Sequence, residues 1–325
     1  MPTLEDATAL SPALQARLQS TDAGVRRIAL IELADEEEED LLPWLVEALS
    51  DPQPEVRAEA AQRLLGWETA EVIQALATAL GDADDKVRGA AALTLAEIKT
   101  AQAGHGLLAW AHHEDTFTRA AVLRALRELR LVEAAPAALA ALEHPHAAVR
   151  REAVSVLGWL KHVAALPQLA GIAHHDADAE VRRAAIGALG LAQPALVQDV
   201  TTALLAGLRD AAWPVREESA ATLGKLKVQA AVPALVEALA DDYWQVRLRA
   251  ARALGLLRAT VAVPALGLAL QHEISNLRKE AAIALGETGD PAAIALLAPA
   301  EADPDPEVRK LARIALQSLR LKGTP

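Results

Sequence analysis

The chain contains no cysteine, one methionine, one phenylalanine and one tyrosine. Without cysteine there is no disulfide framework, no thiolate nucleophile and no thiolate metal site. So few aromatic rings argue against a sheet core, which leans on aromatic and β-branched side chains. No run approaches the roughly 18 uncharged apolar residues of a membrane span. The opening, MPTLEDATALSPALQ, has neither a basic n-region nor an apolar h-region, so no secretory leader is expected. Positive charge is scarce too: Lys and Arg number 32 against 44 Asp and Glu, a net charge of −12. Nucleic acid, bound mainly through cations that neutralise phosphates, is therefore not an expected partner, and neither is an anionic membrane. A glycine-rich phosphate loop, a nucleophile elbow and an HExxH motif are also missing.

Of the 325 residues 52% are hydrophobic, enough to bury a large core or several. Ala and Leu dominate, a composition that suits helices packed closely together. A Val-Arg phrase, or its equivalent, recurs along the chain. Its Arg falls at 26, 57, 88, 119, 150, 182, 216, 247, 278 and 309, with steps of 31, 31, 31, 31, 32, 34, 31, 31 and 31. This is a tandem array of ten units. The stretch AAVPALVEALADDYWQVRLRAARALGLLRAT (230–260) serves as the type. PALVEALA has apolar residues at helical spacing, with Pro233 near a first turn, where proline is tolerated. The polar turn DDYWQ follows, and then a second helix with Val246, Ala250, Ala253 and Leu254 on one stripe. Glycine often stands eight residues after the Arg, at 158, 190, 224, 255 and 286. There it ends the helix or lets a neighbour approach closely. Neither helix of such a hairpin can bury its stripe alone, so the expected fold is all-α, an α-solenoid of about ten stacked hairpins. Asp51, Asp82, Asp176, Asp210, Asp241 and Asp303 each precede an Arg by six residues, and the two are expected to form ladders between neighbouring units and to cap helices.

The units resemble HEAT repeats of the short type named after phycobilin lyases. The family phrase D-x-x-x-x-V-R-x-x-A-A-x-x-L-G is met by DADAEVRRAAIGALG (176–190) and nearly by DDYWQVRLRAARALG (241–255). The resemblance covers roughly residues 10–321 and implies one array over 1–325, with repeats at about 10–38, 41–67, 70–99, 103–130, 133–161, 164–192, 195–227, 229–258, 260–288 and 290–321. It also implies that second helices line the inner, concave surface. Deoxyhypusine hydroxylase is built from similar repeats and carries His-Glu pairs for two irons at the start of inner helices. The matching positions here are Arg151-Glu152, Glu217-Glu218 and Lys279-Glu280, each without the His.

Function in a repeat protein is expected where the pattern breaks, and four places break it. The first is the acidic run Asp35–Asp40, a solvated turn or a dock for a basic segment. The second is histidine: eight of the nine lie between 105 and 175. His113, His144, His146 and His175 fall near stacked turns and could converge on zinc or another transition metal. Alternatively His113 and His144 replace the ladder Asp at a helix C-terminus. The third is the set of turn aromatics, Phe117, Trp213, Tyr243 and Trp244, either a hot spot for a partner or lids over adjacent turns.

The fourth is the row five residues after each Arg. It reads Ile31, Gln62, Leu93, Arg124, Ser155, Gly187, Ala221, Arg252, Ile283 and Ile314, apolar at both ends and mixed in the middle. Arg151 and Arg249 lie beside it, and Trp159 ends a second helix. Such a surface suits a helix or an extended segment of another protein, anchored by apolar contacts and steered by charge. The expectation is a non-enzymatic scaffold or assembly chaperone, a cytoplasmic monomer without a cofactor, that grips a partner protein along this row. The alternative is a bilin-lyase-like protein handling a metal or a tetrapyrrole.

Overall fold

The computed structural model describes residues 10–36 and 38–322. The opening segment up to residue 9, on which the leader reading partly rests, and Glu37 of the acidic run lie outside the described residues. Among the described residues the chain is built of helices and no strand is present. The repeat pattern runs through the chain, while the contacts gather into two compact units, Met1–Leu160 and Lys161–Pro325.

The first unit holds five hairpins. They are α1 (Pro12–Leu18) with α2 (Ala23–Asp35), α3 (Leu42–Glu47) with α4 (Pro54–Arg63), α5 (Ala70–Ala79) with α6 (Asp85–Ala96), α7 (Ala101–Leu107) with α8 (Thr116–Arg127), and α9 (Ala135–Ala141) with α10 (Ala147–Leu160). The second unit holds five more. They are α11 (Leu166–His175) with α12 (Ala179–Leu189), α13 (Val197–Gly207) with α14 (Trp213–Lys225), α15 (Val232–Ala238) with α16 (Trp244–Leu256), α17 (Val263–Ala269) with α18 (Ser275–Thr288), and α19 (Ala293–Leu297) with α20 (Pro306–Lys322). Second helices pack on second helices: α2, α4, α6, α8 and α10 in order in one unit, α12, α14, α16, α18 and α20 in the other. Each unit is thus an α-solenoid of two layers.

The Val-Arg phrase explains the stacking. The valine enters the core: Val56, Val87, Val149, Val181, Val215, Val246 and Val308 are all fully buried. The next position on the helix turns the Arg to the edge of the stack, where it meets the neighbouring repeat. Six of the first helices carry proline at their start, as at Pro233 in the first turn of α15. Several are preceded by a short 3-10 turn such as Gln229–Ala231. Several second helices begin at an Asp N-cap: Asp84 accepts the N–H groups of Lys86 and Val87, and Asp178 those of Glu180 and Val181. These caps stand two residues after the ladder Asp, which was expected to cap and instead braces the turn.

Glycine in the second helices serves close approach. A Cβ on Gly224 would lie 2.8 Å from Cα and Cβ of Ala253, and one on Gly286 would lie 2.7 Å from Cβ of Ala315. Helix termination falls three residues further on. Lys227 (φ 54°) and Arg258 (φ 51°) adopt the left-handed conformation, as Arg130 and Lys161 do in their repeats and Gly289 does in its own. The N–H of Val228 then bonds the carbonyl of Leu223, and that of Ala259 the carbonyl of Leu254. This conformation costs a non-glycine residue about 1–2 kcal/mol, and a cation at a helix C-terminus recovers part of it.

Candidate partner-binding site

The edge of the stack is a ladder of ion pairs. Arg57 donates Nε and Nη2 to the two carboxylate oxygens of Asp82 at 2.7 and 2.8 Å, and Nη1 to the carbonyl of Asp51 at 2.8 Å. The Asp82 carboxylate also accepts the N–H of Asp84 at 2.8 Å. The same bidentate bond joins Arg26 to Asp51, Arg182 to Asp210, Arg216 to Asp241 and Arg278 to Asp303. The Arg bond is the main cause that holds the Asp82 and Asp303 carboxyls below the ordinary range. At Asp51, Asp210 and Asp241 burial pushes upward, and the guanidinium with the turn N–H outweighs it.

Three junctions have histidine where the ladder Asp belongs. His113, His144 and His272 each accept, at Nδ1, the N–H two residues on, at 3.1, 3.2 and 3.1 Å. They reproduce the turn-bracing half of the Asp role and lack the carboxylate. Arg88 turns to Asp85 on its own helix, Arg247 to the carbonyl of Asp241, and Nε of Arg119 is buried without a partner. Burial, and then the nearby Arg119, push the His144 imidazole below its usual pKa. The ring of His146 lies 5.6 Å from that of His144, and His175 packs edge-on against His174. Among the described residues no three His, Asp or Glu side chains are placed to hold a metal ion. His113 and His144 occupy the ladder position and brace their turns.

The turn aromatics brace as well. Trp213 stacks on Tyr243 with ring centres 5.5 Å apart, and Arg216 lies over Tyr243 at 5.7 Å. Arg88 lies over Phe117 at 5.6 Å. Tyr243 and Phe117 remain exposed, while Trp213 and Trp244 are half-buried.

On the second-helix face of residues 161–325, α16, α18 and α20 frame an open cavity of about 450 Å³. Leu256, Ile283, Leu311 and Ile314 give it apolar walls, with Lys227, Arg258 and Glu287 also lining it. Ile314 is 55% exposed. A second cavity of about 210 Å³ shares Leu256 and takes Lys225, Arg249 and Arg252. Arg249 pairs with Glu217 at 3.0 Å and Arg252 with Glu280 at 3.8 Å. Burial raises the pKa of Glu280, opposed by Arg252 and reinforced by Glu287.

The HEAT-repeat family model matches residues 10–96, 42–127, 105–190, 172–248 and 232–317. The chain belongs to the HEAT-repeat family. An engineered protein of known crystal structure is 22% identical, with 95% of this chain and 98% of that one covered and a TM-score of 0.54. The Escherichia coli protein YibA is 19% identical, with 91% and 97% covered and a TM-score of 0.55. At these identities the likeness is one of fold. Human deoxyhypusine hydroxylase in complex with glycerol is 23% identical over 78% of this chain and 97% of that one, at a TM-score of 0.34. No curated protein sequence matches the chain.

Within each unit, parts of the expected row fall together. Ile283 and Ile314 share one cavity, and Arg249 and Arg252 the smaller one. Arg124 and Arg151 converge on the buried Glu152, at 3.1 and 3.4 Å. Trp159 lies under Arg130, 5.1 Å away. Leu93 is 70% exposed on α6. Ile31 is half-buried and joins neither cavity. The positions matched to His-Glu pairs carry ion pairs: besides Glu152, Glu217 and Glu280, Lys279 binds Asp305 at 3.0 Å. Sequence reasoning missed Leu256, Lys227 and Arg258. The last two stand eleven residues after their ladder Arg, as Arg130 does, and that recurring cation was a readable signal.

Proposed function

We propose that this HEAT-repeat chain is a non-enzymatic protein-binding scaffold or assembly chaperone, a cytoplasmic monomer that holds an amphipathic segment of a partner protein along its second-helix faces. The observation that carries the reading is the cavity between α16, α18 and α20. Apolar walls with cations and a carboxylate beside them are what an amphipathic helix needs, with aliphatic side chains inward and charges at the edge. The helices that build it complete their own packing beneath it: Leu254, Leu285 and Leu316 are buried, so Leu256, Ile283 and Ile314 are not consumed by stacking. The HEAT-repeat fold, which the family match gives this chain, commonly mediates protein interaction. The test is a double substitution, Ile283→Asp with Ile314→Asp. Capture of a partner, read by affinity purification and mass spectrometry against the parent chain, should fall at least tenfold, as loss of about 1.4 kcal/mol or more implies. Helical circular dichroism should stay unchanged. Equal capture by both proteins would defeat the reading. The phycobilin-lyase repeat phrase supports the other candidate, a tetrapyrrole in the same groove. A visible absorbance band in the freshly purified protein, lost in the double variant, would favour it.

A further inference from the structure

Three guanidiniums crowd one carboxylate on the second-helix face of residues 1–160. Glu152 on α10, with a side chain only 4% exposed, accepts from Nε and Nη2 of Arg124 at 3.3 and 3.1 Å and from Nη2 of Arg151 at 3.4 Å. Nη1 of Arg127 lies 3.9 Å from its other oxygen. Three positive charges meet this carboxylate and that of Glu128, which leaves one in excess on a chain whose total is −12. A pair placed only for stacking needs one Arg. That simpler arrangement exists at the equivalent positions of residues 161–325, where Arg252 faces Glu280. Arg127 is an addition to it, and Arg151 turns to the buried carboxylate where its counterpart Lys279 turns to Asp305. Glu128, at the exposed edge, meets one N–H of Arg127 at 3.1 Å, and Nε of Arg127 is buried without a partner.

The buried carboxylate acts as a pin. It holds the guanidiniums of Arg124 and Arg151 in fixed orientation while their outer N–H groups stay open to solvent, at 44% and 39% side-chain exposure. Immobilised guanidiniums bind a carboxylate with less ordering cost than free ones, and in a planar, two-pronged geometry. Apolar surface flanks them. Leu93 occupies the same row one helix over, on α6, and Trp159 ends α10 beneath the guanidinium of Arg130. We propose that this face binds an acidic segment of a partner protein, with Asp or Glu carboxylates on Arg124 and Arg151 and an aliphatic side chain against Leu93. Nucleic acid fits less well, since a polyphosphate needs a longer basic track than this cluster and would meet the repulsion of the whole chain.

The proposal rests on the scaffold reading, and the experiment separates the two. A random phage-displayed peptide library is selected against the immobilised full chain, and the winning peptides are synthesised and titrated. The expected pool is rich in Asp and Glu. Its peptides should bind the Arg124→Gln/Arg151→Gln variant about fivefold or more weakly, and the Glu152→Gln variant more weakly as well, about fivefold, because the guanidiniums lose the carboxylate that fixes them. Should the first variant fail to fold because Glu152 loses its partners, the second carries the test alone. A pool without acidic enrichment overturns the proposal, as do acidic peptides whose affinity Glu152→Gln leaves unchanged. An apolar pool blocked by Ile283→Asp/Ile314→Asp keeps the scaffold reading and sinks this one, whereas no enrichment at all sinks both. Duplex DNA that binds more tightly than the peptides, and tighter still to Glu152→Gln, would overturn the choice of partner.

Discussion

At the scale of single residues, the ladder is a repeated experiment with an internal control. Five junctions carry the same bidentate Arg–Asp bond, and three carry histidine in its place. The imidazole braces its turn as Asp does, and it gives the neighbouring guanidinium no carboxylate across the junction. His144→Asp should therefore create the missing bond to Arg119 and raise stability by about 1 kcal/mol, since hydrogen bonds between charged groups contribute about 1.5–3 kcal/mol and the buried Arg119 Nε is already desolvated. A shift of the urea midpoint at pH 7 checks it, and an unchanged midpoint would contradict it. The pH profile gives a second readout. Burial and Arg119 depress the His144 pKa. Below about pH 6.5 the unfolded chain consequently takes up a proton that the folded chain resists. The parent loses stability as pH falls from about 6.5 toward the depressed value, and the Asp variant lacks that loss. The sequence exposed this substitution because phase alone puts His113 and His144 in the Asp column. It could not show that the imidazole keeps one of the two bonds, which depends on the side-chain rotamer.

At the scale of the helix, Ala/Leu composition and 31-residue spacing fix which residues face the core, so hairpins and stripes were legible. Glycine was legible only as a choice between ending a helix and admitting a neighbour. The structure separates the two: Gly224 and Gly286 admit a neighbour, and Lys227, Arg258 and Gly289 end the helices. Paired substitutions distinguish packing from propensity. Gly286→Ala places a Cβ 2.7 Å from that of Ala315 and should destabilise by about 1–3 kcal/mol, as overpacking does. Gly89→Ala on α6 meets nothing within 4 Å and should stabilise by up to about 1 kcal/mol through helix propensity. Thermal unfolding of both variants measures the contrast, and the same sign for both would refute the role assigned to Gly286. The binding row was legible in the same way. Phase placed Ile283 and Ile314 on one face, but the cavity between them comes from the glycine-spaced approach of α16, α18 and α20, and helix spacing is not written in a hydrophobic pattern.

At the scale of the whole molecule, a repeat array gains stability from nearest-neighbour interfaces, so whatever weakens every junction together weakens the chain out of proportion to any single bond. Composition made the class legible, because no cysteine, few aromatic rings and a strict period leave little besides stacked helices. The identity of a partner was not legible, since stacking constrains the buried stripe and leaves the second-helix faces free to vary. Acid is the agent that reaches the five Arg–Asp junctions together. Asp51, Asp82, Asp210, Asp241 and Asp303 all titrate below their ordinary value when folded. Unfolded, they bind protons near pH 3.9. Their contribution is therefore complete above about pH 4 and is lost as pH falls through the depressed folded values. One proton per carboxylate gives a slope of about 1.4 kcal/mol per pH unit each, and five carboxylates titrating together make it steep. Urea midpoints taken from pH 7 down to about pH 2.5 should fall by the small step of His144 below about pH 6.5 and then collapse within that acid window. Asp82→Asn should start lower at pH 7, because Arg57 then lacks its carboxylate, and should fall less steeply in acid. A parent chain whose midpoint stayed flat through pH 3 would show that the ladder contributes nothing to the cohesion of the stack.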